Sequence, residues 1–291
     1  MKHILKFLSV MLALLVMCSV TVYAADSYFT VDGFMVYINS NGEAVISEYK
    51  GNSKNVVIPL ALMGAKVTAI DDYAFFNNTD LKSVSFEEAE FLNYIGTDAF
   101  YGCTGLQVIN IPSSVKEIGF AAFQNCTNLK NVTLGNGICS IGNQAFYNCS
   151  SVEKIVIPEG VESLGDWCFS GCTSLKDIGI PDSVTSISDN ALMNVSKDLV
   201  IYCSENSYAA EFARENSTES KVPKVYELGD VNLDGKVNIR DATTIQIVKV
   251  GKMTIPTYRG DNYADVNRDG QINICDATLI QMKIAGIIND F

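Results

Sequence analysis

Cys103, Cys126, Cys149 and Cys172 stand 23 residues apart. A fixed period of that length marks a structural repeat, and no other feature of the chain constrains its fold as tightly. One unit runs from Leu106 to Asn128; Leu129–Ser151, Val152–Ser174 and Leu175–Lys197 follow in register. Two less regular units precede them, ending at Asn78 and Cys103, where the spacing widens to 25. The recurring positions are Leu/Val, Ile, Ile-Pro, Val, Ile-Gly, Ala-Phe and Cys.

So short a unit holds one short strand, a tight corner and a helical or 3₁₀ return. It cannot bury its apolar side alone, so neighbours must stack. Leu-x-x-Ile-x-Ile supplies the alternate inward side chains of a strand. The Pro that follows brings no N–H and ends the pairing. Phe75, Phe100, Phe123, Phe146 and Phe169 fall at one position and predict an internal spine, with Leu192 replacing Phe in the last unit. The motif Ile-Pro-x-x-Val-x-x-Ile-Gly-x-x-Ala-Phe-x-x-Cys-x-x-Leu resembles the BspA-like leucine-rich repeat, over roughly Val56 to Glu219. That resemblance implies that Asn78 and the ladder cysteines face loop backbone. Val195 fills the position in the last unit. Tyr28–Tyr49, with Asn39-Ser-Asn-Gly at its middle, reads as an N-terminal β-hairpin cap. Ser207–Asn216 reads as an amphipathic helix where such arrays carry a C-terminal cap.

The first residues, Met-Lys-His-Ile-Leu-Lys, precede an apolar run from Phe7 to Cys18 and then Val22-Tyr-Ala24. This is the pattern of a secretory leader cleaved after Ala24. Met17 before Cys18 does not suit lipidation. The expected protein is exported, with no membrane insertion. Its net charge of −12 becomes more negative once Lys2 and Lys6 leave, which disfavours nucleic acid and anionic membranes. The only histidine, His3, leaves as well, which removes His-based triads, dyads and metal sites. An even cysteine count in an exported chain usually suggests disulfides. Here the regular period favours free, buried thiols on the ladder. The pairing of Cys139, Cys168 and Cys203 is open.

Near the C-terminus, two segments repeat each other. Asp230–Asp241 and Asp265–Asp276 carry oxygen-bearing side chains at loop positions 1, 3, 5, 9 and 12, with Gly at position 6. That is the ligand spacing of a Ca²⁺ loop of EF-hand type. The expected ligands are Asp230, Asn232, Asp234, the Lys236 backbone carbonyl, Asn238 through a water, and Asp241. In the second copy they are Asp265, Asn267, Asp269, the Gln271 carbonyl, Asn273 and Asp276. Two calcium ions are expected. Each loop runs into a helical pattern, and no comparable helix precedes Asp230. A loop followed by one exiting helix, present twice with Asp at position 12, resembles a type I dockerin over roughly Leu228 to Phe291.

The dockerin resemblance implies a partner, the cohesin module of a scaffoldin or cell-surface protein in a cellulosome-type complex. In that family, loop positions 10 and 11 and the following helix choose the partner. They fall here on Ile239, Arg240, Gln246 and Ile247, and on Ile274, Cys275, Gln281 and Met282. For Ile247 and Met282, core packing is an equal alternative on helical periodicity. The copies differ at Arg240 against Cys275.

The expected fold is therefore an α+β repeat solenoid, with leucine-rich repeats of about 23 residues and short strands, followed by a small all-α dockerin with two calcium loops. The expected division is a leader at 1–24, a hairpin cap at 25–55, repeats with their cap at 56–219, a linker at 220–227 and the dockerin at 228–291. The expected function is non-catalytic, with the array binding a protein or glycan ligand and the dockerin anchoring it at a cell-surface or extracellular complex. A glycoside hydrolase would need two carboxylates flanking the bond. Glu87, Glu88 and Glu90, or Asp166 beside Trp167, read as solvated turns. A carbohydrate-binding module would use Trp167, Tyr101 and Tyr147, but Gln124 and Ser170 interrupt that stripe.

Overall fold

The computed structural model describes residues 28–86, 90–204, 206–216, 229, 231, 237–249, 264, 266 and 272–289. The leader, Glu87 and Glu88 lie outside them.

Residues 28–204 wind as a β-solenoid. One face is a parallel sheet of Asn55–Ile58, Ser83–Phe86, Val108–Asn110, Asn131–Thr133, Lys154–Val156, Asp177–Gly179 and Val200–Tyr202, one strand per turn. The middle residue of each three-residue strand, such as Ile109, Ile155 and Ile178, points into the core, as the alternation requires. A second face carries two-residue strands, among them Tyr94–Ile95, Glu117–Ile118 and Ser140–Ile141, paired in parallel. The sequence predicts a helical return here. The return is instead a short second strand and an extended turn segment, so the array is a β-solenoid rather than an α+β one. The backbone N–H groups of the return bond to the next unit, where a helix would have closed those bonds within its own unit.

The turn segment is a third hydrogen-bonded wall. Phe75 N–H donates to Ala99 O at 2.7 Å, Phe100 to Ala122 O at 2.7 Å and Phe123 to Ala145 O at 2.8 Å. Two residues after each spine residue, the chain turns left-handed: Asn77, Gly102, Asn125, Asn148, Gly171 and Asn194 all have φ between 54° and 77°. Asn and Gly are the residues that enter this region at least cost. The Ile-Gly of the motif has a different reason. A Cβ on Gly119 would sit 2.6 Å from the carbonyl carbon of Gly96, and one on Gly142 equally close to Gly119, so the units stack glycine on glycine.

The core is continuous from Phe34 to Ala213. The five predicted phenylalanines stack with centroid spacings of 4.7 to 5.4 Å and near-parallel planes. Tyr49 continues the spine 5.2 Å from Phe75, and Phe34 tilts against Tyr49 at 5.2 Å. The ladder thiols face backbone as expected. Cys103, Cys126 and Cys149 donate to the carbonyls of Phe75, Phe100 and Phe123 at 3.1 Å, and Cys172 to that of Phe146 at 3.2 Å. All described cysteines are free, with Cys168 and Cys203 buried and Cys139 and Cys275 exposed. Asn78 is half-buried rather than buried.

At the N-terminal end, the hairpin of Phe34–Ile38 and Ala44–Tyr49 turns at Asn39–Gly42, where Asn39 Oδ1 accepts from Asn41 and Glu43 N–H. Phe29–Val31 adds a third antiparallel strand, and Ala44–Tyr49 pairs in parallel with Ala65–Ile70 to start the solenoid. At the other end, helix α1 (Tyr208–Glu215) starts at Ser207, whose hydroxyl accepts from Ala210 N–H, and buries Ala209, Ala210, Phe212 and Ala213. No helix among the described residues is long and apolar enough to cross a membrane.

Candidate functional site

The duplicated C-terminal segments form a second, separate core. Helices α2 (Ile239–Lys249) and α3 (Ile274–Ile284) begin at corresponding positions of the two copies. Val231 and Val266, Ala242 and Ala277, and Ile245 and Ile280 are buried in matched pairs. The repetition in sequence is thus a repetition in packing.

The local geometry is duplicated too. Asn238 N–H donates to Asp241 Oδ2 at 2.8 Å, and Asn273 N–H donates to Asp276 Oδ2 at 2.8 Å. Asn238 Oδ1 accepts from Arg240 N–H at 3.0 Å, and Asn273 Oδ1 from Cys275 N–H at 2.7 Å. Asn273 and Asp276 form a capping box at the start of α3, and Asn238 and Asp241 make the corresponding bonds at α2. Sequence reasoning missed this role: the position 9 amides serve the helix N-terminus, which suits a metal contact made through water rather than directly. Asp241 and Asp276 are fully buried. One oxygen of each is fixed by the loop backbone, so the carboxylate is oriented before anything binds.

The other expected ligands, Asp230, Asn232, Asp234, Lys236, Asp265, Asn267, Asp269 and Gln271, lie outside the described residues. The described donors are carboxylate and amide groups, the chemistry that suits a hard cation such as Ca²⁺.

The expected partner residues separate by exposure. Ile239 is 55% exposed and Ile274 59%. Arg240 and Cys275 are exposed, while Gln246, Gln281 and Met282 are half-buried. The side chain of Ile247 lies outside the described residues. The helix core falls on Ile245 and Ile280, two residues before Ile247 and Met282. A β-branched apolar side chain left in water at the first turn of both helices has no packing role in the described structure.

On the repeat array, the aromatic residues do not line up as Tyr101, Tyr147 and Trp167 alone. Tyr101 stacks on Phe76 at 5.0 Å, and Tyr73 meets Phe76 edge-on at 5.6 Å. Phe76 occupies the position of Tyr101 one unit earlier, a correspondence that could have been found by extending the alignment to the first unit. Burial pushes the Asp98 carboxyl up and the nearby Asp72 adds to this, while the neighbouring Tyr73 hydroxyl lowers it. Asp72 Oδ1 accepts from Thr97 N–H at 2.7 Å and from the Tyr94 hydroxyl at 3.4 Å. Burial, and after it Asp72, raises the Tyr94 phenol. The Asp166 carboxylate is bound by the Ser188 hydroxyl, a contact between units rather than across a cleft. Glu90 is exposed.

Residues 49–219, in two overlapping stretches, match the BspA type leucine rich repeat region in six copies. The chain belongs to the BspA-type leucine-rich repeat family. Residues 228–285 match the dockerin type I domain. Among solved structures, the array is similar to a leucine rich cell surface protein from Faecalibacterium prausnitzii A2-165. Identity is 29% and the TM-score 0.54, over 65% of this chain and 54% of that one. This chain therefore spans about half of that relative. A T. pallidum leucine rich repeat protein matches at 21% identity and TM-score 0.46, over 67% of this chain and 99% of its own. A Bacteroides ovatus leucine-rich repeat protein matches at 25% and 0.45, over 61% and 56%. No curated protein matches the chain. This BspA-type array thus shares its chain with a dockerin, a domain class that binds calcium and joins cohesins.

Proposed function

We propose that the protein is a secreted, non-catalytic component of a cohesin-based complex, in which residues 228–291 attach residues 56–219 to a scaffold and the array holds a protein ligand. The leader at 1–24, the cap at 25–55 and the linker at 220–227 complete this division. Two calcium ions sit in the loops Asp230–Asp241 and Asp265–Asp276, each held by the residues named at positions 1, 3, 5, 7, 9 and 12. The metal closes the loop around a buried, pre-oriented Asp241 or Asp276, and its binding energy stabilises the fold of the plug.

The observation that carries this reading is the pair of exposed isoleucines, Ile239 and Ile274, beside the buried aspartates Asp241 and Asp276. A metal-ordered helix start that presents an apolar side chain to solvent is built to meet another surface. The two copies offer unlike neighbours, Arg240 and Cys275, so two docking orientations would share calcium chemistry and differ in the surface presented. A non-catalytic role is supported by how the candidate carboxylates are used: Asp166 is tied to Ser188 of the next unit, and Glu90 is exposed to solvent.

The test is capture of the full chain by a panel of immobilised cohesin modules, with calcium and with EDTA. Capture by at least one cohesin, lost in EDTA and lost when Asp230 and Asp265 are both replaced by Ala, is expected. Capture that survives both treatments rules the docking mechanism out.

A further inference from the structure

The turn wall of the solenoid differs in composition from the rest of its surface. Its six segments, 71–78, 96–103, 119–126, 142–149, 165–172 and 188–195, contain five aspartates and no lysine or arginine. The array's lysines lie elsewhere: Lys82, Lys130 and Lys176 precede strands of the long sheet, and Lys116 precedes a short strand. Basic residues are therefore kept off this wall, while acidic ones occur on every face.

The same wall exposes large aromatics. Tyr73 is 54% exposed, Phe76 and Phe120 44% each, and Trp167 39%. Folding does not demand them. Tyr73 and Trp167 sit at left-handed φ of 62° and 53°, a conformation that costs a bulky residue more than Asn or Gly. Corresponding positions in other units hold Asp98, Ala121 and Gln144 at similar φ. An aromatic that is neither buried nor locally favoured contributes little to the fold it stands on. Where backbone strain and solvent exposure coincide, a binding role is the physical alternative.

We propose that this turn wall is the docking surface for a lysine- or arginine-bearing segment of a partner protein. The Tyr73–Phe76–Tyr101 cluster, flanked by Asp72 and Asp98, is its centre. Aromatic faces attract ammonium and guanidinium groups through the ring quadrupole. The carboxylates beside them supply the opposite charge, and the chain's net charge of −12 steers cations in over longer range. Asp72 is fixed by Thr97 N–H at 2.7 Å, and the ring of Tyr73 meets Phe76, which stacks on Tyr101, so rings and carboxylate stand together as one receptor. This inference rests on the reading of the array as a protein-binding module and adds its surface and the chemistry of its partner.

Fluorescein-labelled octalysine titrated with the full, calcium-loaded chain at about 0.15 M salt, where distant charges are screened, tests it, with octaglutamate and cellohexaose as comparison probes. The decisive variant is Tyr73→Asn/Phe76→Ser/Trp167→Asn, which leaves net charge unchanged and places Asn where the backbone is left-handed. Octalysine binding should weaken roughly tenfold or more, as the loss of several cation–π contacts predicts. Glu159→Gln/Glu162→Gln/Glu211→Gln, which removes charge outside the wall, should change binding by less than about twofold at equal salt. The thermal midpoint of each variant shows that the fold is kept. Unchanged octalysine binding by the aromatic variant, or none by the parent chain, overturns the docking wall while leaving a protein ligand elsewhere on the array. Binding of cellohexaose that the aromatic variant abolishes overturns the partner class and the protein-binding reading together.

Discussion

Phe100 and Phe123 lie with centroids 5.1 Å apart and ring planes within 2° of parallel, both fully buried. Each ring contacts the equivalent ring of the next unit, so the spine couples neighbours through one repeated contact. Stability in such an array is close to a sum of unit and interface contributions.

Phe123→Ala removes a ring from the middle of the stack and should cost about 3–5 kcal/mol, the range for large cavities in a close-packed core. Phe123→Leu should cost about 1–2 kcal/mol, since Leu192 already fills this position in the last unit. Urea denaturation followed by far-UV circular dichroism measures both. Equal costs would mean that the rings do not carry the coupling.

The ladder thiols should be inert and pH-sensitive. Burial pushes Cys103 and Cys172 up to about 12 and Cys126 and Cys149 well above the ordinary thiol value. Their folded pKa is raised, so their stabilising effect is complete below the free-thiol pKa and falls as pH rises towards the folded value. Each thiol should cost about 1.4 kcal/mol of stability per pH unit in that window. Melting between pH 8 and about 10 should fall more steeply for the parent chain than for Cys126→Ala/Cys149→Ala. In the folded chain, a thiol reagent should label Cys139 and Cys275 and leave the ladder unlabelled.

Asn125 tests the left-handed turns. It sits at φ 61° and accepts from Asn148 Nδ2 at 2.8 Å. Asn125→Ala should destabilise by about 1–2 kcal/mol, because a Cβ without a local hydrogen bond pays the full left-handed cost. Asn125→Gly should cost less, about 1 kcal/mol or below, by losing only the bond to Asn148. If the two variants melt together, backbone conformation is not what selects Asn here.

The attachment surface predicts a separation of functions. Ile239→Asp/Ile274→Asp alters exposed side chains only, so calcium affinity should stay within about threefold while cohesin capture falls by about a hundredfold, the scale of losing two interface anchors. Parallel calcium titration and cohesin capture on the same variant measure the two effects. Loss of calcium binding together with capture would place these isoleucines in the fold rather than at the interface.

The repeat period, the Phe spine, the thiol ladder and both caps were legible because each is a recurrence of side-chain type, which sequence displays directly. The return segment was misread. Its character depends on how backbone bonds are shared between units, which the length of the unit alone does not reveal. The Asn/Gly alternation at Asn77, Gly102, Asn125, Asn148, Gly171 and Asn194 held that information. Phe76 was missed because the first unit is irregular and its alignment with Tyr101 carries no Cys. In the C-terminal part, the loop spacing singled out Asp241 and Asp276, which are buried at the two helix starts. The capping role of Asn238 and Asn273 was not legible, because one amide oxygen can serve a metal-bound water or a helix N-terminus, and only geometry distinguishes them.

The central claim is that this BspA-type array rides on a plug folded by metal. Isothermal titration of the full chain with Ca²⁺, paired with circular dichroism, tests it most directly. Two ions per chain, a gain in helicity and a return to the starting spectrum in EDTA are the expected result. An absence of binding heat, with a spectrum that ignores both calcium and EDTA, would contradict it.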